Sequence, residues 1–533
     1  MKKKLTGLLI FILVLSLALM GCSSSSSSSD EGKDSNKSGG VLVYGRGGDA
    51  VSLDPATVTD GESLIVANQI FENLVSYKKD STEIQPELAK SWEVSDDGLT
   101  YTFKLQEGVK FQDGTDFNAE AVVTNFDRWA NGNVEQFPYY QSQFGGFKGE
   151  ESAVIKEVKA VDKNTVQFTL FRPQAPFLKN VAMTPFGISS PAAIEKYGDK
   201  YIENPVGTGP FKFQEWKRND TITVVKNDDY WKKGLPKLDK VILKVIKDNS
   251  ARLNALTKGE VDLIDGVNPS DIEKVKSSKN LQLFERPSMN IGYLGFNVEK
   301  APFDNPKVRQ AISHAVNKEG LIKNFYEGTA IPAKNPIPPS ISGYNDDIKD
   351  YDYNLDEAKK LLAEAGYPNG FSVDFWTMPV VRPYMPNGQK VAEALQADFE
   401  KIGIKTKIVT FEWGTYLDKL ANGEGPMFIA GWTGDNGDAD NFMYALLDKD
   451  AIGSNNFSYY ANNDFHDLLI KAQTETDEAK RNDYYKQAQV IAHDDAPWVP
   501  IAHSTPQLAG KSTIKGFIPH PTGSQSFAEI TVN

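Results

Sequence analysis

Cys22 is the only cysteine in a chain of 533 residues, and it stands where an apolar run behind three lysines comes to an end. Lys2, Lys3 and Lys4 precede the stretch from Leu5 to Met20, which closes on Gly21-Cys22. That layout is an export signal. A chain that leaves the cytoplasm with a single thiol can form no internal disulfide, so its body must be held by burial alone. Chains of this length bury most of their unfolded surface and divide into two or more domains, which makes that feasible. The composition, 40% hydrophobic and 24% charged, is that of an ordinary globular protein. Thiolate catalysis, zinc–cysteine sites and iron–sulfur clusters are excluded with the missing cysteines. As a helix the 16-residue run reaches roughly 24 Å, short of a hydrocarbon core of roughly 30 Å, so no stable membrane span is predicted there.

Leu19-Met20-Gly21-Cys22 is similar to a bacterial lipobox, in which the cysteine thiol receives a diacylglyceryl group and cleavage makes that cysteine the new N-terminus. Residues 1–21 are thus expected to be a lipoprotein signal peptide and Cys22 the site of lipid attachment. Residues 22–40, with seven serines from Ser23 to Ser29, offer nothing apolar to bury after the cysteine and read as a flexible tether. A coil of about eighteen such residues spans roughly 24 Å. Removing residues 1–21 takes away three lysines and leaves 71 acidic against 55 basic residues, a net charge of −16. That balance, without any sizeable basic run, makes nucleic acid and anionic membrane surfaces poor partners. The expected location is the extracytoplasmic face of the cell membrane, lipid-anchored, in a Gram-positive cell where the tether replaces a periplasm.

Beyond Val41 the patterns are mixed. Trp92 to Leu105 alternates, with Tyr101, Phe103 and Leu105 on one face and Asp97-Gly98 at the turn, which predicts a hairpin. A second hairpin is predicted from Ile155 to Leu170, turning near Asp162-Lys163-Asn164, and further strands at 209–216, 221–226 and 241–246. Helical spacing marks Val308 to Val316, Leu355 to Ala365 before Gly366, Gln389 to Ile402, and Asp464 to Ala492. Short apolar stretches at 371–376, 405–411 and 426–432 read as buried strands between those helices. The fold class is α/β, with no internal repeat.

Catalytic signatures are absent from the sequence: no Gly-x-Ser-x-Gly elbow, no His-Glu-x-x-His, no complete phosphate loop. Asp350-x-Asp352-x-Asn354 begins like a calcium loop but has Leu355 and Leu361 where glycine and glutamate are required. His314, His466, His493, His503 and His520 show no metal spacing and are expected to be structural. A carboxylate pair for glycoside hydrolysis stays open, because such a pair meets only in the fold.

Two polar stretches follow predicted strands. Gly431-Trp432-Thr433-Gly434-Asp435-Asn436-Gly437-Asp438-Ala439-Asp440-Asn441-Phe442 comes after the apolar Met427 to Ala430, and Trp376 to Tyr384 comes after the strand before it. Ligands of open α/β sheets sit at such strand ends. One strand end offers an acid, Asp435, and the other an arginine, Arg382.

Those two stretches, with Gly207 to Phe211, Val308-Arg309-Gln310-Ala311, Leu256 to Asp262 and the block from Glu87 to Gly114, resemble the extracytoplasmic solute-binding proteins of peptide ABC importers, bacterial family 5. The resemblance covers the chain after the tether and is nearest to the dipeptide-binding branch. It implies a two-lobed clamshell of the periplasmic-binding-protein type, with an additional subdomain inserted in lobe one. It places lobe one at 41–286 plus 504–533, the inserted subdomain at about 71–194 and lobe two at 290–500, with hinge crossings near Pro287 and Ala502. It assigns Asp435 to the α-ammonium and Arg382 to the α-carboxylate of a dipeptide. Trp432, Thr433, Gly434 and Tyr384 are assigned to the backbone contacts and side-chain pockets around it, and Arg46-Gly47-Gly48-Asp49 to backbone contacts from lobe one. A dipeptide is a zwitterion, and enclosing it is tolerable only if each charge meets an opposite one. Its ends lie roughly 7 Å apart, so the two residues act as a ruler.

The implied function is capture of dipeptides by a lipid-anchored, monomeric protein that delivers them to membrane permease subunits, with no cofactor, no metal and no catalysis. The same fold would serve for oligopeptides, a peptide signal, glutathione, haem or nickel; a secreted hydrolase is the rival from another class.

Overall fold

The computed structural model describes residues 39–532. The signal peptide, Cys22 and the tether up to Ser38 lie outside the described residues. Among the described residues no helix is long and apolar enough to cross a membrane.

The alternation at 92–105 becomes the antiparallel strands Ala89–Val94 and Thr100–Leu105, with Trp92 opposite Phe103. Gly98 takes the left-handed conformation that the turn requires (φ 67°), and Asp97 Oδ1 accepts from the Leu99 N–H at 3.0 Å. Ile155–Asp162 and Thr165–Leu170 form the second hairpin, and the four strands make one sheet. Its inner face is aromatic. Phe103 and Phe168 meet edge to face at 5.5 Å, and Phe126, from the helix Ala119–Ala130, meets Phe168 at 4.7 Å. This unit has its own apolar core, which is what lets it sit as an insertion.

Two larger sheets organise the remainder. The first runs Leu281–Glu285, Gln507–Lys511, Leu263–Ile264, Val41–Arg46, Lys240–Val245, Thr221–Lys226 and Phe211–Lys217 across its seven strands. The second runs Ala330–Pro332, Trp498–Ser504, Asn290–Phe296, Met427–Thr433, Ser372–Trp376 and Lys405–Val409 across six. In the second, Ser372–Trp376 pairs in parallel with both Lys405–Val409 and Met427–Thr433. Parallel neighbours need crossovers, and the helices Gly388–Glu400 and Trp413–Ala421 supply them. The two strands run in the same direction with Trp376 level with Phe428, so Met427–Thr433 continues five residues past the end of Ser372–Trp376.

The chain leaves the first sheet after Glu285, enters the second at Asn290, and returns between Ser504 and Gln507. Asn290, 1% exposed, ties the two passages together. Its Nδ2 donates to Ser504 O at 2.8 Å and its Oδ1 accepts from Ser504 N and Oγ at 3.0 Å. His503 Nδ1 lies 2.8 Å from the Asn290 carbonyl; burial pushes this imidazole down to about 4, so it is neutral.

One helical expectation is corrected. The spacing from Asp464 to Ala492 is two helices, Asn463–Thr474 and Glu478–Asp495, broken at 475–477. Asp477 caps the second, its Oδ1 accepting from the Lys480 N–H at 3.0 Å, and a cap side chain there is a start signal that apolar spacing alone conceals.

Candidate functional site at the paired strand ends

The loop after Ser372–Trp376 lies flat on the sheet. Tyr384 is 7% exposed, its ring packed where a Cβ on Gly431 would collide with it, and its carbonyl where a Cβ on Gly292 would. The absent side chains at these two positions let the loop approach so closely. The Tyr326 hydroxyl fastens the loop, donating to Tyr384 O at 2.8 Å. Burial pushes the Tyr384 hydroxyl up to about 12, with Arg382 acting against it. Tyr384 is thus part of the lobe-two core.

Arg382 and Met385 exchange backbone hydrogen bonds of 3.2 and 2.9 Å across a tight turn, and the arginine side chain acts on the hydroxyl of the buried Tyr384. Its guanidinium stacks 5.0 Å above the Trp413 ring and reaches no carboxylate within ion-pair distance among the described residues. It lines a cavity of about 670 Å³ whose opposite wall comes from the first sheet, including Gly47 and Gly48.

The second strand end is built around Asn441. Its Oδ1 accepts from Trp432 Nε1 at 3.1 Å and from the Asp435 N–H at 2.8 Å, while its Nδ2 donates to Asp435 Oδ2 at 3.1 Å. One amide thereby orients both the tryptophan and the acid. The other oxygen of Asp435 accepts from the Tyr139 hydroxyl at 3.1 Å, across from the inserted subdomain. Burial raises Asp435 to about 6, and the Asn441 and Tyr139 hydrogen bonds hold it from going higher. Thr433 stands opposite Asn290 in the sheet, and Gly434 N–H donates to Met289 O at 2.8 Å, so both are tied to the passage between sheets. Asp435 is not among the walls of the 670 Å³ cavity. The structure thus groups Trp432, Thr433, Gly434 and Asp435, and sets Arg382 on the neighbouring strand end.

Beyond Asp435 the same loop is clamped from both sides. Asn436 Nδ2 donates to Asn180 Oδ1 at 2.8 Å, and Lys179 Nζ donates to Gly437 O at 2.8 Å and lies 3.5 Å from Asp438. Arg481 grips Asp438 through two bonds of 2.9 and 2.6 Å. Burial alone would raise Asp438, but the charges of Arg481 and Lys179 hold it well below the usual carboxylate range.

Tyr139, Lys179, Asn180, Asn441 and Trp413 were not singled out in the sequence. Asn441 was within reach, at the end of the stretch that carries Asp435; Tyr139 carries no local signal, being 296 residues from its partner. Among the histidines, His466 Nδ1 lies 3.0 Å from both oxygens of Asp448, near Asp450. Asp448 also accepts from the Asp450 N–H at 2.9 Å, so its carboxylate serves as a cap and as the hydrogen-bond partner of His466.

Residues 83–454 match the model of the bacterial extracellular solute-binding proteins, family 5 Middle. The chain is 42% identical to a dipeptide-binding protein of Escherichia coli (strain K12), over 92% of this chain and 94% of the relative. It is 40% identical to heme-binding protein A of Haemophilus influenzae, over 97% of each. An ABC transporter-associated periplasmic binding protein from Helicobacter pylori, solved with the peptide STSA, superposes with a TM-score of 0.81 at 39% identity, covering 93% of this chain and 99% of that one. These relatives are binding proteins rather than enzymes, and the two-lobed fold is theirs. On sequence and fold together, the chain belongs to family 5 of the bacterial extracellular solute-binding proteins.

Proposed function

We propose that this protein captures dipeptides outside the cytoplasmic membrane and passes them to an ABC importer. The observation that carries the reading is an arginine free of any carboxylate partner among the described residues and a buried aspartate, one following each of two paired parallel strands. Arginine suits a carboxylate because its planar fork engages both oxygens. Asp435 keeps acceptor capacity beyond its two donors, enough for an ammonium. The dipeptide-binding relative in Escherichia coli supports the same reading. In this reading the lobes, 41–286 with 504–533 and 290–500, close about crossings near Pro287 and Ala502, and Trp432, Thr433 and Gly434 serve the peptide backbone.

Calorimetry tests the binding class. Free dipeptides should titrate one site per chain, and N-acetylated or C-amidated forms should bind far more weakly; equal affinities for blocked and free peptides would refute the charge ruler. Acid should add its own signature. An ammonium favours ionised Asp435, so the free protein must lose the proton it carries below about pH 6, and affinity should fall by up to about tenfold per pH unit below that point. A flat affinity between pH 5 and 7.5 would remove Asp435 from the ligand.

We further propose that Cys22 carries the lipid anchor, on the strength of the Leu19 to Cys22 sequence. Cys22→Ala should abolish lipid labelling and leave the protein in the medium or as uncleaved precursor. Fully processed mutant protein that stays on the membrane would sink the idea.

A further inference from the structure

Arg382 is not the only guanidinium on the 670 Å³ cavity without a carboxylate. Arg286 lines it too, at the passage from the first sheet to the second, where its backbone N–H donates to Pro506 O at 2.9 Å. Its Nε is buried with no hydrogen-bond partner. Its Nη2 donates at 3.0 Å to the Gln525 carbonyl, with that amide turned so that its nitrogen faces Gly523 O. No carboxylate lies within ion-pair distance of Arg286 among the described residues.

The acids on the same walls are already committed. Asp265 pairs with Arg252 Nε at 3.3 Å. Asp248 caps the helix Asn249–Lys258, accepting from the Ala251 N–H at 2.7 Å. Glu62 lies 3.9 Å from the fully buried Arg46, and burial together with Asp265 raises it to about 7. What the cavity leaves without an ion pair among the described residues is Arg286, Arg382 and the exposed Lys247, and of these only Arg286 has a buried donor with no partner. Both arginines are half-buried, and the buried Nε of Arg286 is a donor that an anionic ligand group would satisfy.

We propose that Arg286 is a second anion anchor, so that the site prefers peptides whose last residue is acidic, with the α-carboxylate on Arg382 and the side-chain carboxylate on Arg286. Such a dianionic end bridges the two lobes beside their hinge. This rests on the dipeptide reading above and names the ligand class within it.

The test compares Ala-Glu with Ala-Gln, near-isosteres that differ by one charge, by calorimetry at pH 7.5. A charge-assisted hydrogen bond should favour Ala-Glu by roughly tenfold to a hundredfold in the unmodified protein. Arg286→Gln should bring that ratio toward one, and Arg286→Lys should keep part of it, since a point charge replaces a fork. Equal affinities in the unmodified protein, or a ratio that survives Arg286→Gln, overturn the proposal while leaving the dipeptide reading intact. Failure of both peptides to bind overturns the dipeptide reading itself, and this one with it.

Discussion

Arg382→Ala is expected to weaken free dipeptides by roughly thirty-fold to several thousand-fold, and Asp435→Ala by a similar factor. Truncating one side of a buried, hydrogen-bonded charge pair costs about 2 to 5 kcal/mol, because the charge left behind is desolvated and unpaired. At about 1.4 kcal/mol per tenfold, that is the range given. Selectivity discriminates more sharply than affinity. Arg382→Ala should lose the preference for a free carboxylate and keep that for a free ammonium, whereas Asp435→Ala should do the reverse. Arg382→Lys should recover only part of the loss, because an ammonium cannot bind both oxygens in one plane. Asp435→Ala also releases the Tyr139 hydroxyl and the Asn441 amide, so Asp435→Asn is the needed companion variant. Should both alanine variants fold normally and bind free dipeptides within about twofold of the unmodified protein, the assignment of the two ends is wrong.

Arg481→Ala should destabilise the fold by about 3 to 5 kcal/mol, the usual result of leaving one member of a buried ion pair alone. Asp438 is 2% exposed, and with Arg481 gone only Lys179, at 3.5 Å, faces its charge. The pH dependence follows from the direction of the Asp438 shift. Its folded-state value lies below the unfolded value of about 3.9, so the pair contributes fully above that pH and progressively less as acid protonates the carboxylate. The gap between the unmodified protein and Arg481→Ala should therefore be widest near neutrality and narrow below about pH 4. Urea unfolding at pH 7 and pH 3.5 measures both, and a gap under about 1 kcal/mol at pH 7 would show the pair to be dispensable.

The parts of the fold that were legible in the sequence are those with one wet face. Ala89–Val94 and Thr100–Leu105 alternate because one side meets solvent, and Asp97-Gly98 marks their turn. Asn290–Phe296 had no such mark, since all seven of its residues are buried and a strand wrapped on both faces loses its period. The break at 475–477 was missed for a related reason: the apolar spacing of two helices ran on through a cap that only Asp477 declares. Arg382 and Asp435 stand out in the sequence as charged residues that follow apolar strands, which is where the structure sets them. Tyr139 and Lys179 were not, because their contacts with 435–438 exist only once the inserted subdomain has folded against that loop. Motif reading does not show how Tyr384 is packed: its ring lies where a Cβ on Gly431 would sit, a contact made only in the fold.

Tyr139, Lys179 and Asn180 hold the 435–438 loop through contacts that need no ligand atom, and this bears on how affinity is divided among conformers. A binding protein that must first visit a scarce competent state shows an apparent dissociation constant inflated by the inverse of that state's population. In the dipeptide-binding reading proposed above, a state with these contacts keeps partners for its own polar groups: Asp435 has a hydroxyl, Gly437 an ammonium and Asn436 an amide. Its free energy relative to the open ensemble is lowered by those bonds, and the inflation shrinks accordingly. Mutations on the inserted subdomain, remote from any peptide atom, would then shift affinity for every ligand by one common factor and leave their rank order untouched.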